Sequence, residues 1–401
     1  MEFNGKRFLV IGAARSGKAA AEFLIEHGAL VYLNDLKKRE DFNEDIPGSL
    51  EETGIQLTLG EHADVRGLKP DYLIVSPGVP FTIPPLVEAK KRGIPVWSEI
   101  ELASRNTRAP LVAVTGTNGK TTTTALLGQI FADSGRKVFV GGNIGVPFIS
   151  EAEKLAAEDV AVLEVSSFQL ATTESFRPQV AVILNITPDH LDRHDTYEGY
   201  IGAKKKVFCN QRENDCLILN YDDPETRDLA GSAQGRVLFF SRQHILKEGF
   251  YISDGWMVLK NEGQITPVIK VEELGIKGGH NLENSLAAAA AGWLLGVSVE
   301  SLAQSLKTFP GVPHRLEPVL TYQGVTYIND SKGTNPDASI KALEAYEQPI
   351  VLLAGGKSKG SDFLPFAEKI KERVKELVLM GQAASEIEEV IKKVGYSRYR
   401  L

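Results

Sequence analysis

The chain has 401 residues, 43% hydrophobic and 24% charged, an ordinary globular balance that excludes a collagen-like, low-complexity or mainly disordered protein. At ~150 residues per domain, the length holds two or three domains. The 45 basic and 52 acidic residues leave a formal charge of −7, the wrong sign for a non-specific nucleic-acid binder.

The short basic runs Lys37-Lys38-Arg39 and Lys204-Lys205-Lys206 read as solvated faces. Cys209 and Cys216 are too few for a disulfide framework or a zinc cage, so a reducing cytoplasm is the simplest setting. The N-terminus runs directly into a strand-like segment, and no signal peptide is expected. No apolar stretch reaches the ~18 residues that span a bilayer, so no membrane insertion is expected.

Short β-branched runs alternate with helical periodicity, the signature of parallel α/β sheets. Residues 8–11 read as the first strand, and 18–26 as a helix that ends at His27-Gly28. Residues 30–33 and 72–75 read as further strands. A new unit begins after the polar stretch 104–108, with strands at 111–114, 138–140, 160–165 and 180–185. Residues 216–274 carry more β and turn signals, including Ser253-Asp254-Gly255, and predict a small antiparallel sheet. A helix over 281–295 closes this unit, and Pro310-Gly311-Val312-Pro313 reads as a linker. A third α/β unit has strands at 325–328, 350–353 and 377–380. The expected domains are therefore 1–107, 108–312 and 313–401.

The strongest local signal is Thr115-Gly116-Thr117-Asn118-Gly119-Lys120-Thr121-Thr122, a glycine turn between a strand and a helix. Glycines let several backbone N–H groups converge on phosphate oxygens, and a helix N-terminus adds a favourable dipole. Lys120 would neutralise the β/γ-phosphates, and Thr121 would offer its hydroxyl to Mg²⁺. Val114 stands where the strict form of this loop has its first glycine. Asn143, Glu164 and the pair Asp189-His190 follow other strands of the same unit. Ligands of doubly wound sheets collect at that edge, and oxygen donors suit Mg²⁺.

The N-terminal turn Gly12-Ala13-Ala14-Arg15-Ser16-Gly17, with Asp35 ending the next strand, is a degraded dinucleotide fingerprint. The turn Ser76-Pro77-Gly78-Val79-Pro80 is placed to line the same crevice. In the third unit, Arg315 suits a phosphate during transfer. Asp330 suits a ribose hydroxyl or a metal-bound water, and Lys332 and Thr334 suit a carboxylate.

Several of these separated motifs, in this order, resemble the Mur ligases, which build the peptidoglycan peptide. The glycine turn is similar to their ATP loop. The runs Glu164-Val-Ser-Ser-Phe-Gln-Leu170, Asn185-Ile-Thr-Pro-Asp-His-Leu-Asp-Arg-His194 and Ile328-Asn-Asp-Ser-Lys-Gly-Thr-Asn335 are similar to the branch that adds D-glutamate to UDP-N-acetylmuramoyl-L-alanine. The resemblance implies an α/β chain of three domains: a Rossmann-like N-terminal domain for the UDP substrate, a P-loop central domain for ATP, and a shortened Rossmann-like C-terminal domain for the amino acid. It implies that Gly116, Thr117, Asn118, Gly119, Lys120, Thr121 and Thr122 wrap the phosphates, with Asn281 and Asn284 at adenine. Thr121 and Glu164 would hold one Mg²⁺; His190 and Lys204 would serve a second, with Lys204 carbamylated. By spacing alone Lys204 is a surface lysine. Arg315 and Asp330 would reach ATP, and Lys332 and Thr334 the D-glutamate. Ser16, Asp35, Gly78 and Asn143 would face the muramoyl substrate. A cytoplasmic monomer is the expected form.

Two rival readings follow from the same residues. A nicotinamide-dependent oxidoreductase would use the Gly12 turn and Asp35, but leaves the Gly116 turn and third unit unexplained. A nucleotide-binding chain with impaired turnover is the other. Family members usually continue several tens of residues beyond Leu401, through a strand and a serine-bearing turn at D-glutamate. The run Ala354-Gly355-Gly356-Lys357-Ser358 also lacks the aspartate usual after its paired glycines.

Overall fold

The structure, a computed structural model, describes residues 2–42, 46–194, 196–358 and 362–401. Strands β1 (Arg7–Ile11), β2 (Leu30–Asp35), β3 (Gln56–Leu59), β4 (Tyr72–Val75) and β5 (Val96–Ser98) form a parallel sheet in the order β3-β2-β1-β4-β5. The order runs outward from β1 in both directions. The turns after β1 and β4 are therefore neighbours at a topological switch point, where such sheets open a crevice. β3 and β5 were not expected: one is a polar edge strand and the other three residues long.

A second sheet has nine strands: β6 (Leu111–Thr115), β7 (Val138–Gly142), β8 (Val160–Glu164), β9 (Val180–Ile183), β10 (Cys216–Asn220), β11 (Arg236–Ser241), β12 (Gly249–Ser253), β13 (Trp256–Asn261) and β14 (Gln264–Lys270). Their order is β14-β13-β12-β11-β10-β9-β6-β8-β7. The expected antiparallel strands exist, with β12 and β13 joined at Asp254-Gly255, but they do not form a sheet of their own. They extend the parallel sheet through β10 and β11, which pair parallel. The reason lies in the Cys-Leu-Ile-Leu-Asn run of β10: a strand buried on both faces belongs inside a parallel sheet.

In the third unit, β15 (Glu317–Tyr322) and β16 (Val325–Asn329) form a separate antiparallel hairpin. The expected strand at 325–328 thus pairs locally. Gln323 and Gly324 both take positive φ, 48° and 77°, as a two-residue hairpin turn requires. Strands β17 (Ile350–Gly355), β18 (Val374–Met380) and β19 (Tyr399–Arg400) form a three-stranded parallel sheet. Val319, Leu320, Tyr322, Val325 and Tyr327 of the hairpin are exposed, as are Val351 and Leu353 of β17.

The buried clusters do not follow the three units one to one. A single cluster runs from Phe8, Leu24 and Ile100 into Phe148, Leu170 and Phe176, so the first two units share a core. The other face of the nine-stranded sheet buries Leu126, Ile130 and Phe131 against helix Gly279–Leu294. The alanines 287–291 on that helix are fully buried, and their small side chains let the helix lie close to the sheet. The third unit has its own cluster around Phe366, Ile370, Leu377 and Ile391.

The short helix Glu99–Ser104 joins the first two units through two buried carboxylates. Glu101 accepts the N–H groups of Glu174, Ser175 and Phe176, the Ser175 hydroxyl, and an ion pair from Arg105 at 2.6 Å. Burial pushes its pKa upward, but these donors outweigh burial and hold it below the usual carboxylate range. Glu99 accepts the Ile149 N–H at 2.6 Å, while its Oε2 has no partner. Burial pushes its carboxyl up to about 7, only partly offset by the Ile149 and Phe148 amides.

The sign of the linkage follows. Glu99 binds its proton more tightly folded than unfolded, so its contribution is complete below pH ~4 and is lost as pH rises through about 7. The loss amounts to about 3 kcal/mol. Glu99→Gln should therefore gain stability relative to the wild type between about pH 5 and pH 8, measured by urea unfolding at both.

Candidate active site

The nine-stranded sheet is parallel from β7 to β12, so its strand ends deliver side chains to one edge. The turn Gly116–Gly119 follows β6 there and caps helix Lys120–Asp133. Gly116 and Gly119 take φ of 150° and 87°, which side-chain-bearing residues rarely adopt. Asn185, just past β9, clamps the turn from below. Its Oδ1 accepts the Asn118 N–H at 2.8 Å, and its Nδ2 donates to the Asn118 carbonyl at 3.1 Å. Thr117 fixes the other flank through the Thr187 backbone and the Tyr200 hydroxyl, each at 3.0–3.1 Å. The Lys120 ammonium folds back onto the carbonyls of Gly116 and Thr117, at 2.8 and 2.7 Å. Thr122 is buried in the first helical turn.

Glu164 ends β8 beside this turn and is 2% exposed. Its Oε2 accepts the Thr121 hydroxyl at 2.8 Å, and its Oε1 accepts Nδ2 of Asn143 at 2.9 Å. Three strand ends are thus joined by one carboxylate. Lys204 comes from helix Tyr197–Lys205 and is 1% exposed, which corrects the reading of 204–206 as a solvated face. Its amine donates to the Gly116 carbonyl at 2.8 Å and lies 4.6 Å from the centre of the Tyr200 ring. Burial and the nearby Lys120 charge push its pKa well below that of an ordinary lysine, against the pull of Asp189 and Glu164. The periodicity of residues 197–205 does contain this signal. Tyr200, Ala203 and Lys204 fall at helical spacing on one buried face.

His190 takes a left-handed φ of 53° and rests against the Phe168 ring at 5.0 Å, with Asp189 at 3.6 Å. Among the described residues no three His, Cys, Asp or Glu side chains form a ready metal cage. Thr121 and Glu164 are paired, and Lys204 senses Glu164 and Asp189 through space. Mg²⁺ does not demand a cage of protein ligands, since it keeps waters and substrate oxygens around one or two carboxylates. The donor set here is hard oxygen and few in number, and it fits that ion.

At the first switch point the glycine turn is closed by Ser76, whose hydroxyl donates to the Gly12 carbonyl at 3.2 Å. Asp35, half-buried at the end of β2, accepts the N–H groups of Ala13 and Lys37 and so also holds the turn. Ser16 is half-buried and Gly78 exposed on this crevice. Arg193, which sequence reading passed over, lies over the Phe168 ring and donates to the carbonyls of Gly78 and Val79.

Asn281 and Asn284 are buried in the first turns of helix Gly279–Leu294, with Asn284 donating to Asn281 at 3.3 Å. From the third unit, Asp330 accepts the Leu316 N–H and lies 3.9 Å from Arg315. Burial pushes the Asp330 carboxyl upward, against the pull of Arg315. Lys332 and Thr334 are exposed. The next turn reaches the central unit: Asn335 donates to the Asn118 side chain at 3.2 Å, and Asn118 donates to Asp337 at 2.6 Å. Sequence reading assigned neither residue a role. The signal was the Asn-Pro-Asp run, a helix start directly after a motif.

Family profiles match in chain order. Residues 6–98 match the Mur ligase MurD-like N-terminal domain, 114–292 the Mur ligase middle domain, and 314–400 the Mur ligase glutamate ligase domain. The UDP-N-acetylmuramoylalanine–D-glutamate ligase of Pelotomaculum thermopropionicum is 52% identical, over 98% of this chain and 87% of that protein. The chain belongs to the Mur ligase family. The ligase of the same name from Desulfitobacterium hafniense strain DCB-2 is 47% identical over 100% of this chain and 87% of its own length. Among solved Mur ligases, the UDP-N-acetylmuramate–alanine ligase of Thermotoga maritima superposes with a TM-score of 0.60 at 21% identity, covering 98% of this chain and 90% of that one. The MurF ligase of the same organism, solved with ADP, gives 0.59 at 19% identity, covering 98% and 89%. These two structures share the three-unit Mur ligase fold.

A side chain at Gly119 would place its Cβ 2.2 Å from Asn284 Oδ1 and adopt the same left-handed φ. Gly119→Ala should therefore cost about 1–3 kcal/mol and lower the melting temperature. It should also weaken ADP binding, read by titration calorimetry, because the strain falls on the turn and on Asn284 together.

Proposed function

We propose that this chain is an ATP-dependent ligase that joins D-glutamate to the alanine carboxylate of UDP-N-acetylmuramoyl-L-alanine. The observation that carries the reading is 52% identity to a ligase of that name along 98% of the chain, with the motif residues gathered at one sheet edge. The alternative of a nucleotide binder without turnover has no observation in its favour. The nicotinamide reading has no support from the relatives, all three units matching Mur ligase domains.

The proposed division of labour follows the units 1–107, 108–312 and 313–401. The first takes the UDP part of the substrate in the crevice of Ser16 and Gly78. The central unit takes ATP on a phosphate-binding loop, residues 116–122, with adenine at Asn281 and Asn284. The third brings Arg315 and Asp330 to ATP, and Lys332 and Thr334 to D-glutamate. The proposed setting is the cytoplasm, as a monomer.

A carboxylate does not condense with an amine at neutral pH, because its leaving group is poor. In the first step a substrate carboxylate oxygen bonds to the γ-phosphorus of ATP, and the bond to ADP breaks. Backbone N–H groups of the loop hold the phosphates, and Lys120 leaves its two carbonyls to meet the transferring group. Arg315 closes from the third unit on the same charge. The D-glutamate amine then bonds to the acyl carbon, and the bond to phosphate breaks. No protein nucleophile is needed, so Cys209 and Cys216 have no part. Closure of the third unit excludes water, which would otherwise consume the acyl phosphate.

Thr121 and Glu164 are the residues that would hold one Mg²⁺, and His190 with Lys204 a second. When bound, such ions would supply positive charge to offset that of the transferring phosphoryl group. A lysine ammonium would oppose a cation there. Burial pushes the Lys204 pKa well below that of an ordinary lysine, which favours the uncharged amine, and an uncharged amine adds to CO₂, releasing one proton to give an anionic carbamate. That form turns the buried lysine into an oxygen donor.

An ATP-dependent ligation assay offering D-glutamate, L-glutamate and other amino acids tests the function. Amide product and phosphate should form in equal amounts with D-glutamate, and phosphate release without amide would contradict the reading. For Lys204, we expect Lys204→Ala to lose at least about a hundredfold in kcat. Added short carboxylic acids should restore part of that rate, and ¹³C-bicarbonate should give the wild type, but not the variant, a carbamate carbon signal. Full activity of Lys204→Ala would remove the carbamate from the mechanism.

A further inference from the structure

We infer that Asn335 is a positioning residue for the ligation reaction: it fastens the third unit at once to the phosphate-loop residue Asn118 and to the loop of Asp189. This inference rests on the ligase reading above.

Asn335 is the N-cap of helix Pro336–Glu344, and every polar atom of its side chain is used. Its Oδ1 accepts the Ala338 N–H at 2.8 Å, which caps the helix. That contact fixes the orientation of the amide, because an N–H group needs an acceptor. The two Nδ2 protons then face the central unit. One donates to Asn118 Oδ1 at 3.2 Å, the other to Asp189 Oδ2 at 3.4 Å.

Both receivers are themselves anchored. Asn118 is 9% exposed and clamped by Asn185 on both sides of its backbone. Asp189 accepts the His190 N–H at 2.9 Å and so sets the start of that loop. A second contact lies two residues along, in the first turn of the helix. Asp337 accepts Nδ2 of Asn118 at 2.6 Å and pairs with Lys341 at 3.0 Å, so its carboxylate does not approach the phosphate loop as a bare charge. Both ends of the Asn118 amide are thereby engaged by the third unit, its oxygen by Asn335 and its nitrogen by Asp337.

The consequence is positional. Loops carrying Lys120 and His190 belong to the central unit, whereas Lys332 and Thr334 immediately precede Asn335. An amide joining these loops fixes the distance between the phosphate-transfer groups and the residues assigned to the amino acid. Misplacement of reacting groups by an ångström costs far more in rate than in binding.

Asn335→Asp is the informative change. Asp caps helices as well as Asn, so the helix start is kept. Both donors are lost, and a carboxylate is set against Asp189. Asn335→Ser keeps a cap without adding charge and serves as the second variant. The expected result is an unchanged melting temperature and ADP affinity, with kcat lowered roughly tenfold or more for two lost hydrogen bonds. In parallel, a fluorophore pair on Asp254→Cys and Glu389→Cys, both exposed, reads the separation of the central and third units with no substrate present. It should widen in both variants. An unchanged separation would overturn the inference, as would a kcat within twofold of wild type. So would an effect confined to the KM for D-glutamate, since that would make Asn335 a substrate contact. Should the wild type fail to ligate while the separation still widens, the function reading falls and the fastening stands.

Discussion

Two amines point at one oxygen. Lys120 and Lys204 each donate to the Gly116 carbonyl at 2.8 Å, so their nitrogens lie less than about 6 Å apart. Were both charged, their repulsion would cost about 3 kcal/mol at an effective dielectric near 20. That repulsion falls mainly on the more buried of the two. Lys120 is half-buried on the loop, whereas Lys204 is sealed beneath it against Tyr200. Burial and the Lys120 charge both push the Lys204 pKa well below that of an ordinary lysine, and the glycine turn keeps the two amines in those places.

The rest of the site follows from holding that carbonyl still. Asn185 and Thr117 tie the turn to the ends of neighbouring strands, and Glu164 ties Thr121 to Asn143. These are short contacts between residues distant in sequence, made adjacent by parallel strand order. The parallel sheet brings its ends to one edge, and there Asn118, Thr121, Asn143 and Glu164 come together.

Much of this was legible in the chain itself. The strands that carry the motifs are continuous apolar runs, and the residues after them could be placed without coordinates. The nine-stranded continuity was not legible, because hairpin signals around Asp254 look the same in a separate sheet and at the edge of a larger one. Nor was the burial of Lys204. Its neighbours Lys205 and Lys206 suggest a solvated run, and only the position of Tyr200 and Ala203 on the same helical face argues otherwise. Asp35 was placed from its spacing to the Gly12 turn, but the internal hydrogen bond it also makes there, accepting the Ala13 N–H, could not be read from that spacing.

Three family matches along the chain invite a picture of three independent parts, yet the hydrophobic interior is partitioned otherwise. Phe8 and Phe148 lie in one cluster, whereas Phe366 and Ile391 lie in another with no member from the first two sheets. Cooperativity in thermal melting is carried by shared interior, not by sheet count. The chain is thus built to come apart in two calorimetric steps, with the first two units surrendering together; three resolved endotherms would show the shared cluster to be energetically idle. The same partition leaves the third unit joined to the rest by polar surface contacts such as Asn335 to Asn118, with no shared member in its own buried cluster.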